Sequence, residues 1–184
     1  MTTVFLDRDG VINEKIENGY VTSWEEFAWM PGAIGGIKKL HERGWNIIVV
    51  TNQACVGKQL AEMHDIDEIH RHMQLELQAQ GISLTQIYVC PHTPEANCAC
   101  RKPRPGMLLQ AAQDHNLQLQ HCYFVGDSWT DMQAAQAVHC YGIFVQNSEA
   151  GNCDGENDHQ VRARHVCATV DEAIDHIILQ EGPV

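Results

Sequence analysis

The feature that most constrains the fold is an alternation along the chain. Short runs rich in β-branched and aromatic residues are separated by stretches whose apolar residues recur every three to four positions. That pattern specifies an α/β, Rossmann-like parallel sheet with helices on both faces. Five strands are expected at Thr3 to Leu6, Asn46 to Thr51, Gln86 to Cys90, Cys122 to Gly126 and Tyr141 to Gln146, with a weaker sixth near His165 to Ala168. Gly32 to Arg43 places Ile34, Ile37 and Leu40 on one face and stops at Gly44, as a crossover helix does. Glu62 to Gln80 carries Met63, Ile66, Ile69, Met73 and Leu77 at the same steps and ends at Gly81. Its histidines, His64, His70 and His72, form no HExxH pattern and are read as face or surface residues. Thr130 to Gln133 and Thr169 to Glu172 each match a capping box and mark the last two helices, the closing one running from Val170 to Leu179.

At 184 residues the chain is expected to form one domain, 1–184, with no room for a large cap domain. Only Val11 to Met30 and a loop after the third strand remain to cover a site. Trp24, Phe27 and Trp29 are read as a packed flap rather than a stacking platform. A net charge of −12, with no basic cluster, repels a phosphodiester backbone, so nucleic acid is not an expected partner. No apolar run approaches the ~20 residues that span a bilayer, and Met1 to Val4 leads straight into a strand without a basic leader. A cytoplasmic monomer without a membrane partner is the expectation. Asn147 to His165, rich in Gly, Asn and acids, is read as a solvated loop.

In open α/β sheets the ligand lies beyond the carboxyl ends of the strands. That rule gathers Asp7 and Asp9 after strand one, Thr51 and Asn52 at the end of strand two, Cys90 at the end of strand three and Asp127 after strand four. These residue types meet the needs of phosphoryl transfer to a carboxylate. Asp7 is the nucleophile, and Asp9 protonates the leaving oxygen and later takes a proton from water. Thr51 and Lys102 hold phosphoryl oxygens. Carboxylates facing a phosphate need a divalent cation, and hard oxygen ligands favour Mg²⁺ on Asp7, Asp9 and Asp127. Gly126 permits close approach. Asp131 either orients the cation's waters or serves only as a charge at a helix start.

Eight cysteines are present, and Cys90, Cys98 and Cys100 crowd around His92 as CxH, five residues, then CxC. Three thiolates and an imidazole suit a closed, structural Zn²⁺ site that fixes the direction of Arg101 and Lys102. The scattered Cys55, Cys122, Cys140, Cys153 and Cys167 are read as buried or partly buried free thiols.

Asp7-Arg8-Asp9-Gly10, Thr51-Asn52-Gln53, Lys102 and Gly126-Asp127 with Asp131 resemble the four motifs of the haloacid dehalogenase superfamily of phosphohydrolases. More closely, LDRDGVIN, GYVTSWEEF, VVTNQ, CPHTPEANCACRKPRPGMLL and VGDSWTDMQAA are similar to the D-glycero-D-manno-heptose 1,7-bisphosphate 7-phosphatases, over Thr3 to Gln146. The resemblance implies the same roles for Asp7, Asp9, Asp127, Thr51 and Lys102, and adds Arg101 as a substrate contact. It further implies that Glu17, Asn18, Gly19 and Tyr20, together with Asn52, Gln53 and Ala54, line a sugar-phosphate pocket. Cys55 stands where the family usually has glycine, and the stretch between Asn13 and Tyr20 is longer than usual.

The expected substrate is a small phosphorylated sugar, the heptose 1,7-bisphosphate by resemblance. Histidinol-phosphate phosphatases share the zinc-ligand pattern and a loop this short, so histidinol phosphate is an alternative substrate. A zinc-stabilised phosphate-binding protein without catalysis is the alternative from outside the enzymes, and the presence of both Asp7 and Asp9 argues against it.

Overall fold

A computed structural model describes residues 1–146 and 163–182. Strands β1 (Thr3–Leu6), β2 (Asn46–Asn52), β3 (Gln86–Cys90), β4 (Cys122–Gly126), β5 (Tyr141–Val145) and β6 (His165–Cys167) form one sheet in the order β3-β2-β1-β4-β5-β6. Every pairing in it is parallel. All six expected strands are present, β5 and β6 each one residue shorter than expected. Most of the stretch from Asn147 to His165, with Cys153, lies outside the described residues.

Helices α1 (Ala33–Glu42), α2 (Ala54–Gly57), α3 (Met63–Ala79), α4 (Gly106–His115), α5 (Trp129–Ala137) and α6 (Val170–Glu181) follow in chain order. The two-residue period of the strands decides which helix goes where. Val4, Leu6, Ile47 and Val49 point to one face and pack with Ile37 and Leu40 of α1, Met73 and Leu77 of α3, and Ile174 and Ile177 of α6. Phe5, Ile48, Val50 and Phe124 point to the other and pack with Met107, Leu108 and Ala111 of α4 and Ala134 and Ala135 of α5. Each fully buried branched side chain contributes roughly 1.5–3 kcal/mol, and between Thr3 and Asn46 at the starts of β1 and β2 and the polar residues at their carboxyl ends these two strands are wholly apolar.

Three local expectations need correction. Ser128, not Thr130, caps α5: its Oγ accepts from the Asp131 amide at 3.3 Å, and the Asp131 carboxylate accepts from the Ser128 amide at 3.1 Å. Thr169 caps α6 as expected, but the Glu172 carboxylate reaches back to the Ala168 amide rather than to that of Thr169. Helix α4, whose apolar residues Met107, Leu108 and Ala111 close the second face, occupies a stretch where no helix was expected.

From β1 the chain winds through β2 and β3 to one edge, then returns to place β4 beside β1 and winds the other way. The carboxyl ends of β1 and β4 therefore flank the point where the winding reverses, the place at which such sheets open a crevice for ligands. The flap residues pack onto α3: Trp24 stacks between Phe27 and His72, and the Trp29 indole donates to Glu76 at 2.6 Å. No described helix is long and apolar enough to cross a membrane.

Candidate active site

Asp7 begins the turn that leaves β1, its amide donating to Val125 O of β4 at 3.0 Å. One carboxylate oxygen, Oδ1, accepts from the Arg8 amide at 2.7 Å and from Lys102 Nζ at 2.8 Å. Across the switch point stand Asp127, at the end of β4, and Asp131, on the first turn of α5. One carboxylate oxygen from each of Asp7, Asp127 and Asp131 falls within 4.8 Å of the others. Gly10 makes this possible: its φ is +89°, and a Cβ there would lie 1.9 Å from Asp127 Oδ2. Gly126 gives the matching clearance, since a Cβ would lie 2.4 Å from that of Asp131.

Three carboxylates this close set the electrostatics. Burial first, and then the charge of Asp131, push the Asp7 carboxyl up to about 8 against the opposing pull of Lys102. Asp127 is pushed up to about 6, again by burial, with Lys15 pulling the other way. Lys102 is itself driven upward: burial disfavours its charge, but Asp131 and Asp7 outweigh it. The Lys102 ammonium donates to Val50 O at 2.9 Å and forms ion pairs with Asp7 Oδ1 and with Asp131 Oδ1 (2.7 Å). Asn52 fixes its main chain, accepting from the Lys102 amide and donating to its carbonyl, both at 3.1 Å.

Asp9 is held apart from that cluster. Arg8, fully buried, donates through Nη2 to Asp9 Oδ1 and Oδ2 at 2.8 and 3.0 Å and through Nε to Oδ1 at 3.2 Å. Asn13 adds a bond at 3.0 Å and Gln53 one at 2.7 Å. Burial works to raise this carboxyl, but the Arg8 charge and these bonds outweigh it and hold Asp9 below the usual carboxylate range. Of the expected magnesium ligands, Asp7 and Asp127 bring their carboxylates together with that of Asp131, while the Asp9 carboxylate is turned onto Arg8. Asp131 thus serves both as a helix-start cap and as a member of the cluster, because the cap bonds fall on Oδ2 and Lys102 on Oδ1.

The donor set fits a hard divalent cation. Asp127 Oδ1 is buried with no hydrogen-bond partner, and such an atom is costly unless something positive meets it. Lys15, from the long stretch after Asn13, pairs with Asp127 Oδ2. At β2, Thr51 is fully buried and its Oγ accepts from Gln53 at 2.9 Å, leaving its proton to be donated elsewhere.

The four residues expected to hold zinc converge, as their spacing requires. The sulfurs of Cys90, Cys98 and Cys100 lie 3.2 to 3.6 Å apart, and His92 Nδ1 is 3.3 Å from Cys100 and 3.6 Å from Cys90. A tetrahedral site with Zn–S bonds of about 2.3 Å needs sulfurs about 3.8 Å apart, so small adjustments suffice. Every described cysteine is a free thiol. Cys55 is buried and donates to Gln53 Oε1 at 3.6 Å, filling a small apolar cluster with Val21, Ile66 and Ile69.

Of the expected pocket residues, Glu17, Asn18 and Gly19 lie exposed on a turn closed by the Gly19 amide on Ile16 O, and Asn18 has φ +53°. Tyr20 is partly buried under Lys58, whose Nζ is 5.3 Å from its ring centre. Ala54 is buried at the start of α2, and Arg101 donates to His92 O at 3.2 Å. The amides of Asn52 and Gln53 are committed inward, to Lys102 and to Asp9 with Thr51. Sequence reasoning missed Arg8, Asn13, Lys15 and His70. Of the histidines read as face or surface residues, His70 lies on the buried face of α3, 3.3 Å from Arg8 Nη1. Its place four residues after Ile66, on the apolar face of α3, was the signal that could have found it.

Residues 99–173 match the HAD-hydrolase-like family model. The chain is 40% identical to a D-glycero-alpha-D-manno-heptose-1,7-bisphosphate 7-phosphatase of Mycobacterium bovis over 80% of its own length and 81% of the relative's. It is 35% identical to a D-glycero-beta-D-manno-heptose-1,7-bisphosphate 7-phosphatase of Pseudomonas putida over 81% and 85%. The crystal structure of a D,D-heptose 1,7-bisphosphate phosphatase from B. bronchiseptica, complexed with magnesium and phosphate, superposes with a TM-score of 0.89 and 32% identity, covering 99% of this chain and all of that one. With the carboxylate cluster at the switch point of the same fold, these similarities place the chain among the haloacid dehalogenase-like phosphoric monoester hydrolases, and it belongs to their heptose-1,7-bisphosphate 7-phosphatase family.

Proposed function

We propose that this protein removes the 7-phosphate of D-glycero-D-manno-heptose 1,7-bisphosphate through an aspartyl-phosphate on Asp7. The observation that carries the reading is the position of Asp7: it lies at the switch point between a buried ammonium and two further carboxylates, with Asp9 two residues away on a separate set of bonds. Because Arg8 and Lys102 both bind Oδ1, Asp7 presents Oδ2 to phosphorus. As the Oδ2–P bond forms, the bond from phosphorus to the sugar oxygen breaks, and Asp9 gives that oxygen a proton. Asp9 is ionised in the arrangement described, so it takes this proton from solvent water as the phosphate brings negative charge against it, leaving hydroxide to the bulk. Asp9 then takes a proton from the water that attacks phosphorus, the Oδ2–P bond breaks, and Asp7 is restored.

The Thr51 hydroxyl donates to a phosphoryl oxygen. Lys102 neutralises charge on the group, and direct contact with an oxygen requires it to release one of its three present partners. Mg²⁺ held by Asp7 and Asp127, beside Asp131, would offset the charge that gathers on the phosphoryl oxygens. Cys90, His92, Cys98 and Cys100 would hold Zn²⁺, which would fix the segment that carries Arg101 and Lys102. Arg101 and the Glu17 to Tyr20 turn are the proposed contacts to the sugar and its second phosphate. Asn52 and Gln53 support the pocket by holding Lys102 and Asp9.

Phosphate release is measured on both anomers of the heptose bisphosphate and on histidinol phosphate, each with magnesium and with EDTA. The reading expects magnesium-dependent release from at least one heptose anomer well above that from histidinol phosphate. A preference for histidinol phosphate, or turnover indifferent to EDTA, overturns it. Relatives named for the alpha and the beta anomer are both similar to this chain, so the two anomers are separate arms of the assay.

A further inference from the structure

We infer that His70, acting through Arg8, is a positioning residue for the proton-transfer carboxylate Asp9. The inference rests on the reading of Asp9 as the acid and base.

Arg8 stands between two catalytic-loop aspartates and yet has no exposure to solvent. A buried guanidinium is tolerated only when its donors are met. Its Nε and Nη2 edge meets Asp9 in a forked pair, and Nη1 meets His70 Nε2 at 3.3 Å. A guanidinium has no acceptor, so the imidazole nitrogen in this contact must be the acceptor and the ring must be neutral. Burial, followed by the Arg8 charge, indeed pushes His70 down to about 3. The fork is planar, so fixing Nη1 fixes the direction of the other edge and with it the carboxylate. His70 belongs to α3, packed on the sheet through Ile66, Ile69, Met73 and Leu77, and therefore supplies a rigid reference outside the loop it steadies.

Asn13 and Gln53 also bind Asp9, but each comes from a loop at the carboxyl edge of the sheet. Only the Arg8 to His70 contact ties Asp9 to a long helix among the described residues. Without the imidazole acceptor, Arg8 can rotate its fork and Asp9 loses its aim at the leaving oxygen. Proton delivery of this kind is worth about 10²–10⁴ in rate, so a partial loss of aim predicts about a 10- to 100-fold fall in kcat.

The test compares a sugar phosphate, whose alkoxide leaving group needs a proton, with an aryl phosphate such as p-nitrophenyl phosphate, whose leaving group departs without one. Asp9→Asn first examines the underlying reading: it should cost far more on the sugar phosphate than on the aryl ester. His70→Leu removes the acceptor, and His70→Gln keeps an amide oxygen that can accept from Arg8. The expected pattern is a 10- to 100-fold fall in kcat for His70→Leu on the sugar phosphate with KM little changed, a loss under about threefold on the aryl phosphate, and recovery in His70→Gln. In the Asp9→Asn background, His70→Leu should add no further loss. Equal loss on both substrates, no loss on either, or a further loss in that background overturns the proposal, whereas an Asp9→Asn variant that loses both substrates alike overturns the reading beneath it. Rates are taken below each variant's own melting temperature, and if His70→Leu is insoluble, His70→Gln and His70→Asn give the same comparison, since only the longer amide reaches Arg8.

Discussion

Magnesium binding by this protein should release protons in amounts that the site itself dictates. Asp7 is raised to about 8 and Asp127 to about 6, in both cases chiefly by burial. A cation that needs both carboxylates ionised must expel whatever protons they hold. At pH 7 a group at 8 is about nine-tenths protonated and one at 6 about one-tenth, so the cluster should give up about one proton per ion. The macroscopic count belongs to the cluster rather than to either residue. At pH 9 release should fall to about 0.1 proton, and the affinity should tighten on the order of a hundredfold between pH 6 and 9. Calorimetric titration of the metal-free protein in buffers of differing ionisation enthalpy measures the number directly. Asp7→Asn should remove most of the release at pH 7. Proton release near zero at pH 6 to 7, or an affinity flat across that range, would refute the electrostatic picture. The sign also bears on stability. Unfolded carboxylates ionise near pH 4, before the folded ones, so the metal-free fold should lose stability as pH rises from about 4 through about 8 and regain it on adding magnesium.

Other outcomes follow from the same geometry. Lys102→Met leaves Asp7 and Asp131 buried without their cation, and should cost roughly 3–5 kcal/mol in urea unfolding at neutral pH, with turnover lost. Gly10→Ala forces a side chain at φ +89° into Asp127, so magnesium affinity should drop together with roughly 1–3 kcal/mol of stability. Stripping zinc with a chelator, or Cys98→Ser, should lower both melting temperature and kcat, because the loop that delivers Lys102 loses its anchor. Elemental analysis of the purified protein should find one zinc per chain, and full activity in a zinc-free sample would contradict the structural role.

The parts of this fold that could be read from the sequence are those governed by short-range pattern. Apolar runs such as Ile47 to Val50 are strands because both of their faces are covered. The strand-end rule then collected Asp7, Asp9, Thr51 and Asp127 without any knowledge of contacts. Helix α4 escaped because its apolar face is narrow, carried by Met107, Leu108 and Ala111, and only tertiary packing shows which side is buried. The α5 cap was misplaced by two residues since Ser128 and Thr130 both offer hydroxyls, and the choice depends on where the Asp131 carboxylate turns. Arg8, Lys15 and His70 stayed hidden for a different reason: a polar or charged side chain looks solvated until the structure shows what it faces. Asn52 and Gln53 were placed in the right neighbourhood, but the direction of an amide is a property of three dimensions.

Trapping the covalent intermediate tests the central claim most directly. The protein is mixed with heptose 1,7-bisphosphate and magnesium, quenched in acid within a single turnover and reduced with borohydride, which converts an aspartyl-phosphate to homoserine. Peptide mass spectrometry should then find homoserine at position 7 in the native protein and none in Asp7→Asn, which should also release no phosphate. Phosphate release with Asp7 unmodified at every quench time, or homoserine at Asp9, Asp127 or Asp131 instead, would contradict the assignment of Asp7 as nucleophile.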